Sequence, residues 1–195
     1  MTAEKLPDWV FPPPGGFTAD DLDRIPDLPP HTELIDGSLI FVSPQKSFHA
    51  LVLDLLVHAL RGFAPKDLRV RREMTIVLDK TNRPEPDLTV LHERAVPNAG
   101  HGETSYRAED VVLAVEVVSP ESADRDRERK PLLYARAGIP HFWLVERTEI
   151  GRPVVHTYEL DRLGHAYELT GIHHDRLKVS APYTIDIDLT EIDRM

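Results

Sequence analysis

Three positions, in the order Asp87, Glu116 and Lys130, carry residue types that could do hydrolytic chemistry. Asp87 follows Pro86 at the entrance of a predicted strand. Glu116 lies inside residues 111–118 (VVLAVEVV), a run otherwise apolar and rich in β-branched side chains. A run apolar at every position predicts a strand covered on both faces. Ser119-Pro120 ends it, because proline has no N–H for a sheet ladder. An ionised carboxylate in such a strand must be paired, protonated or bound to a cation. Two carboxylates on neighbouring strands can share a hard divalent cation, which prefers oxygen ligands. A lysine nearby can hold or activate the attacking water, or offset charge on a phosphate. Lys130 falls at a predicted helix start, four residues after Asp126. The bland alternative is a structural ion pair between Glu116 and an arginine.

The totals set bounds. The chain has 195 residues, enough for one domain with a substantial core. It has no cysteine, which excludes disulfides and thiolate–zinc sites. It has no apolar run long enough for a membrane span. The N-terminus lacks the basic-then-apolar order of a signal peptide, and a cytoplasmic protein is the simplest reading. The 23 basic and 33 acidic residues give a net charge of −10. That argues against broad electrostatic binding of nucleic acid. It leaves room for an enzyme acting on nucleic acid, since a metal-dependent site needs carboxylates and a local basic groove can coexist with an acidic whole.

Several elements must position these residues. Residues 1–30 hold seven prolines and read as an irregular arm. Its Trp9, Val10, Phe11 and Phe17 could pack on the domain, and a short helix at 18–24 could be capped by Thr18. Residues 33–43 read as a hairpin turned at Asp36-Gly37, the dipeptide of a tight type I′ turn. Residues 46–61 read as a helix with Ser47, Asp54, His58 and Arg61 on one polar stripe. At about 100° per residue, His49 lies roughly opposite His58 and is predicted to face inward. The alternative for His49 is a hydrogen-bonded core histidine. Residues 68–79 read as one strand with Leu68, Val70, Met74, Ile76 and Leu78 on a common face. Residues 86–91 form the next strand and residues 93–109 a polar loop. The segment 122–137 is helical in its later part and stops at Gly138. Pro131 moves the helix start to about Arg127 or Glu128, or kinks the helix there. Residues 141–146, 153–160, 165–169, 176–179 and 183–187 read as strands, with Asp161 to Gly164 as a hairpin turn.

The surrounding words resemble the Uma2 family of restriction-endonuclease-like proteins. They are ELIDG, VSP and His49 over residues 33–49, RPEPDLTVL over 83–91, and VEVVSPES followed by Lys130 and YARAGIPHFWLVE over 115–146. The resemblance spans about residues 31–190, and the run from Glu116 to Glu146 is its most specific part. It implies a single domain over 31–195 behind the arm at 1–30. It also implies a place among the PD-(D/E)xK nucleases. The expected fold is α/β (α+β): a restriction-endonuclease-like mixed central β-sheet flanked by helices, with a β-rich C-terminal extension. The expected activity is Mg²⁺-dependent (or Mn²⁺-dependent) hydrolysis of DNA phosphodiesters. Asp87 matches the Pro-Asp acid, Glu116 the second acid and Lys130 the helix lysine. The lysine usual two residues after the strand acid would be at 118, which is Val118. By the resemblance, Asp87, Glu116 and the main-chain carbonyl of Val117 hold the metal. Glu33, His49 and Asp126 support them or add ligands.

The competing reading is a catalytically inactive nuclease fold that acts as a binding or interaction module. The acidic net charge, Val118 and Pro131 point that way. The complete set of Asp87, Glu116 and Lys130 points to the enzyme. DNA is the expected substrate and no membrane is expected as a partner. The β-rich C-terminal third could pair across a two-fold to give a homodimer, though nothing in the residues requires it.

Overall fold

Alternation along residues 111–117 decides the architecture. In the computed structural model, which describes residues 7, 10–96, 102–163 and 166–195, Leu113, Val115 and Val117 point into one apolar cluster. Val111 and Ala114 point into another on the opposite face. Glu116 alternates with Val115 and Val117, so it falls on the second face.

A 3-10 turn at Ala19–Asp23, preceded by Thr18 as its cap, stands where the short helix is expected, and a short hairpin follows, β1 (Glu33–Ile35) and β2 (Ser38–Ile40). Asp36 and Gly37 have φ of 51° and 75°, the pair of positive values a type I′ turn requires. Helix α1 (Ser47–Phe63) follows. Next come β3 (Leu68–Arg72), β4 (Thr75–Val77), β5 (Leu88–His92), β6 (Ser105–Arg107) and β7 (Val111–Val117). Helix α2 (Lys130–Arg136) leads to β8 (His141–Arg147) and β9 (Pro153–Leu160). The remaining strands are β10 (Tyr167–His173), β11 (Arg176–Val179) and β12 (Ile185–Asp188). Six strands form a mixed sheet in the order β10-β9-β8-β7-β5-β3. The β7–β8 pair is parallel and the others are antiparallel. Antiparallel β11–β12 and parallel β4–β6 flank it as two-stranded units.

One face of the sheet packs α1 and residues 185–192 over Val70, Val90, Val115 and Trp143. The other packs Tyr134 and Ile139 over Ala114, Phe142 and Leu144. The central strand is thus covered on both sides, as its unbroken apolar run requires. Among the described residues no helix is long and apolar enough to cross a membrane.

Three expectations are corrected. Residues 68–79 are two strands, because Glu73 takes a left-handed φ of 49° and breaks the run. Leu68 and Val70 then pack under α1, whereas Ile76, with Met74 and Leu78, joins the other cluster. The polar loop at 93–109 contains β6, paired to β4 with Thr75 opposite Ser105. The segment before α2 is a widened turn, with the Lys130 N–H bonded to the Arg125 carbonyl five residues back. Pro131, which has no N–H to donate, follows directly after this widened turn in a helical backbone that runs unbroken into α2. Of the arm, Phe17 and Ala19 are buried while Val10 and Phe11 are exposed. Trp9, Gly100, Gly164 and His165 lie outside the described residues.

Candidate functional site

The register of β5 against β7 sets Leu88 opposite Val115. Continued by one residue, it sets Asp87 opposite Glu116, on the same face of the sheet. Asp87 Oδ2 accepts the Val117 N–H at 2.6 Å. The strand acid and the Pro-Asp acid are therefore held by one strip of backbone.

Glu116 is 2 % exposed. Its Oε2 takes Lys130 Nζ at 2.9 Å, and its Oε1 takes the Tyr134 hydroxyl at 2.5 Å. Lys130 and Tyr134 are one helical turn apart on α2 and so share a face. Lys130, 4 % exposed, also lies 2.8 Å from Glu33 Oε1 and 3.4 Å from Asp126 Oδ1. The partner of Glu116 is thus a lysine shared by three carboxylates, and not the arginine of the ion-pair alternative. Position 118 is Val118, and the lysine beside Glu116 comes instead from α2. The β1–β2 hairpin supplies Glu33, whose Oε1 also accepts the Glu85 N–H at 2.8 Å. Arg129 donates to Asp36 at 2.7 Å, tying the hairpin turn to the segment that carries Lys130. Ser122 donates to Asp126.

His49, in the first turn of α1, is buried as its helical phase predicts. Its Nε2 is 3.0 Å from Asp87 Oδ1. Yet neither ring nitrogen makes a directed hydrogen bond, and Asp126 Oδ1 is likewise buried without one. The contact of His49 with Asp87 is therefore one of proximity and charge rather than an aligned bond. Glu33, His49, Asp87, Glu116, Val117, Asp126 and Lys130 all line one cleft of about 620 Å³.

The electrostatics follow from crowding. Burial holds the Glu116 carboxyl well above the usual range, against the pull of Lys130 and with a push from Asp126 and Asp87. Burial also raises Asp126. Burial alone would lower Lys130, but Glu116, Glu33 and Asp126 together hold its ammonium well above the usual lysine range. Burial, then Glu116, raise the Tyr134 hydroxyl.

The sequence pattern gave no role to Tyr134, His31, Glu85 or Glu73. Its spacing of four from Lys130 was the available signal for Tyr134. His31 Nδ1 lies 2.5 Å from Glu85 Oε1 on another wall of the cleft. No local pattern connects those two residues.

The fold is that of a mixed-sheet nuclease-like domain. A solved structure described as "a putative nuclease belonging to DUF820 from Anabaena variabilis ATCC 29413" matches it with a TM-score of 0.69 and 17 % identity. The match covers 90 % of this chain and 97 % of that one. The family model of Uma2, described as "Putative restriction endonuclease", matches residues 19–190, and the chain belongs to that family. No curated protein matches it.

Proposed function

We propose that this protein is a divalent-cation-dependent endonuclease that hydrolyses DNA phosphodiester bonds. The observation that carries the proposal is Asp87 set opposite Glu116 on the wall of one cleft, with Lys130 against the second acid. Membership of the Uma2 family supports the reaction class.

The donor set suits Mg²⁺ or Mn²⁺. Glu33, Glu116 and Asp126 pair with one lysine, Asp87 acts on it from further off, and Asp126 Oδ1 is buried without a hydrogen bond. Uncompensated buried acid is what a hard cation relieves. Among the described residues no three His, Cys, Asp or Glu side chains form a group that could itself hold a metal ion. Asp87 and Glu116 would therefore hold the ion with the Val117 carbonyl. Mg²⁺ commonly takes one or two carboxylates, with water and substrate phosphate completing its shell. When bound, the ion would lower the pKa of a water and polarise the phosphoryl oxygen.

The chain's own residues do the rest. Lys130 holds Glu116 and Asp126 in place and offsets their charge, and its raised pKa keeps it a cation rather than a base. Tyr134 fixes the second oxygen of Glu116. The Val117 N–H orients Asp87. Glu33 and His49 support these groups from the hairpin and from α1.

Plasmid cleavage in Mg²⁺, in Mn²⁺ and in chelator tests the proposal. Cleavage should need the metal and vanish in Asp87→Asn and Glu116→Gln. A folded Lys130 variant should lose about 10²–10³-fold, the range of a lost electrostatic donor. Folded parent protein that leaves plasmid intact in both metals would overturn it.

A further inference from the structure

We infer that the edge of the sheet at β3 is a second contact surface for the phosphate backbone of duplex DNA, outside the cleft. The inference rests on the reading of DNA as substrate and adds where the flanking duplex lies.

Residues 61–72 hold five of the 23 basic residues, Arg61, Lys66, Arg69, Arg71 and Arg72, and one of the 33 acidic residues, Asp67. In a chain of net charge −10 this is a marked local reversal. Arg61, Lys66, Arg69 and Arg71 line one shallow recess of about 300 Å³ at the end of α1 and along β3. β3 is the last strand of the main sheet, so nothing in the sheet covers its outer side.

The cations are unequally committed. Arg69 is paired with Glu93, and Arg72 with Asp54 and Glu73. Among the described residues the Arg71 side chain bonds only to the Val70 carbonyl. The side chains of Arg61 and Lys66 are exposed and make no hydrogen bond or ion pair among the described residues. Three cations therefore stand without an acidic partner, against one exposed acid, Asp67. Arginines on an edge strand also discourage pairing with another copy. That role would explain β3 but not Arg61 or Lys66, which lie on the helix end and the following loop. Clustered uncompensated cations in an acidic protein match a polyanion, whose binding rests on such contacts.

The patch connects to the cleft. β3 runs from it to Glu73, which lines the cleft. Its five residues span roughly 16 Å at about 3.3 Å each. A duplex engaged at the cleft would thus bring flanking phosphates to β3.

The test is DNA binding in chelator, where no cleavage is needed. The probe is a fluorescent duplex longer than the cleft, titrated over a salt series. Arg61→Gln/Lys66→Gln/Arg71→Gln should weaken binding about tenfold at low salt and lower the salt slope by about 0.9 per lost phosphate contact. Arg24→Gln/Arg107→Gln/Arg162→Gln changes the net charge equally elsewhere and should leave binding within about twofold, since phosphate contacts act locally. Arg61→Lys/Arg71→Lys keeps the charge and should bind as the parent does, which separates charge from folding. Equal losses in both Gln triples, unchanged binding in the patch triple, or no binding by the parent would each overturn the inference. Because binding is read without metal, a protein that binds through the patch but never cuts would overturn the nuclease proposal alone.

Discussion

The Tyr134 hydroxyl donates to Glu116 Oε1 at 2.5 Å, on the opposite carboxylate oxygen from the one Lys130 holds at 2.9 Å. Both oxygens of a buried strand acid are thereby satisfied from one turn of α2. Tyr134→Phe keeps the ring and leaves one oxygen unsatisfied. The expected loss is about 1–3 kcal/mol of stability, the cost of a buried acceptor without its donor. Denaturant melts measure it. A double-mutant cycle with Glu116→Gln should show coupling, since the two residues touch. Additive effects would mean that the hydroxyl matters for some other contact.

The same crowding sets a pH dependence. Burial raises the carboxyls of Glu116 and Asp126 above their ordinary range. Between the ordinary and the raised values the folded protein binds more protons than the unfolded chain. Stability without metal should therefore fall as pH rises through that window. Asp23, lowered chiefly by its hydrogen bond from Arg83, works the other way. Its contribution is present above the ordinary range and is lost as pH falls through the lowered value. Lys130 and Tyr134 are raised, so their contributions vanish only in alkali, as pH climbs through the raised values. Melting temperatures from mildly acidic to mildly alkaline buffer should decline in the parent and flatten in Glu116→Gln. An identical decline in both would place the titrating groups elsewhere.

Lys130 should be the least replaceable residue of the cluster. It is the shared cation of Glu33, Glu116 and Asp126. Lys130→Met would leave three buried carboxylates without it and should cost about 3–5 kcal/mol. Acid should partly rescue this variant, because protonation removes the repulsion. Urea midpoints at two pH values check both parts. A variant as stable as the parent at neutral pH would show that water reaches the cluster freely.

How much of this was legible follows from how local each signal is. The central strand, the Asp36-Gly37 turn and the inward phase of His49 are written in short periodic or dipeptide patterns. The convergence of Asp87, Glu116 and Lys130 was legible through motif order rather than through spacing. The break at Glu73 was not, because a left-handed glutamate has no sequence signature. Nor was β4 against β6, since two three-residue strands paired across about thirty positions leave no local trace. The arm's anchoring was equally hidden. Arg83, 3 % exposed, reaches Asp23 Oδ2 at 2.7 Å and the Ala19 carbonyl at 2.9 Å, sixty or more positions away. Tertiary contacts alone pair such groups.

Metal binding should be readable as stability. A cation that binds only the folded state at 100 times its dissociation constant adds about 2.7 kcal/mol. The parent should therefore melt higher in Mg²⁺ than in chelator. Glu116→Gln should lose most of that response, since it would remove one of the two carboxylates proposed to hold the metal. Without metal it should melt close to the parent. The substitution removes one charge from an overcrowded acidic group, and Lys130 keeps Glu33 at 2.8 Å and Asp126 at 3.4 Å as partners. Its cost is the mismatch of an amide N–H₂ facing either Lys130 or the Tyr134 hydroxyl. A purely structural role for Glu116 requires the opposite pattern: a parent indifferent to Mg²⁺ and a Gln variant that unfolds readily in chelator. Melts of the two proteins in the two buffers separate these outcomes. Asp87→Asn extends the comparison, because among the described residues the Asp87 carboxylate meets the Val117 N–H and the neighbourhood of His49. That variant keeps the Asp87 carbonyl, which accepts the Glu73 N–H, and should lose the Mg²⁺ response with little change in chelator. A full response in Asp87→Asn would remove the two-carboxylate site.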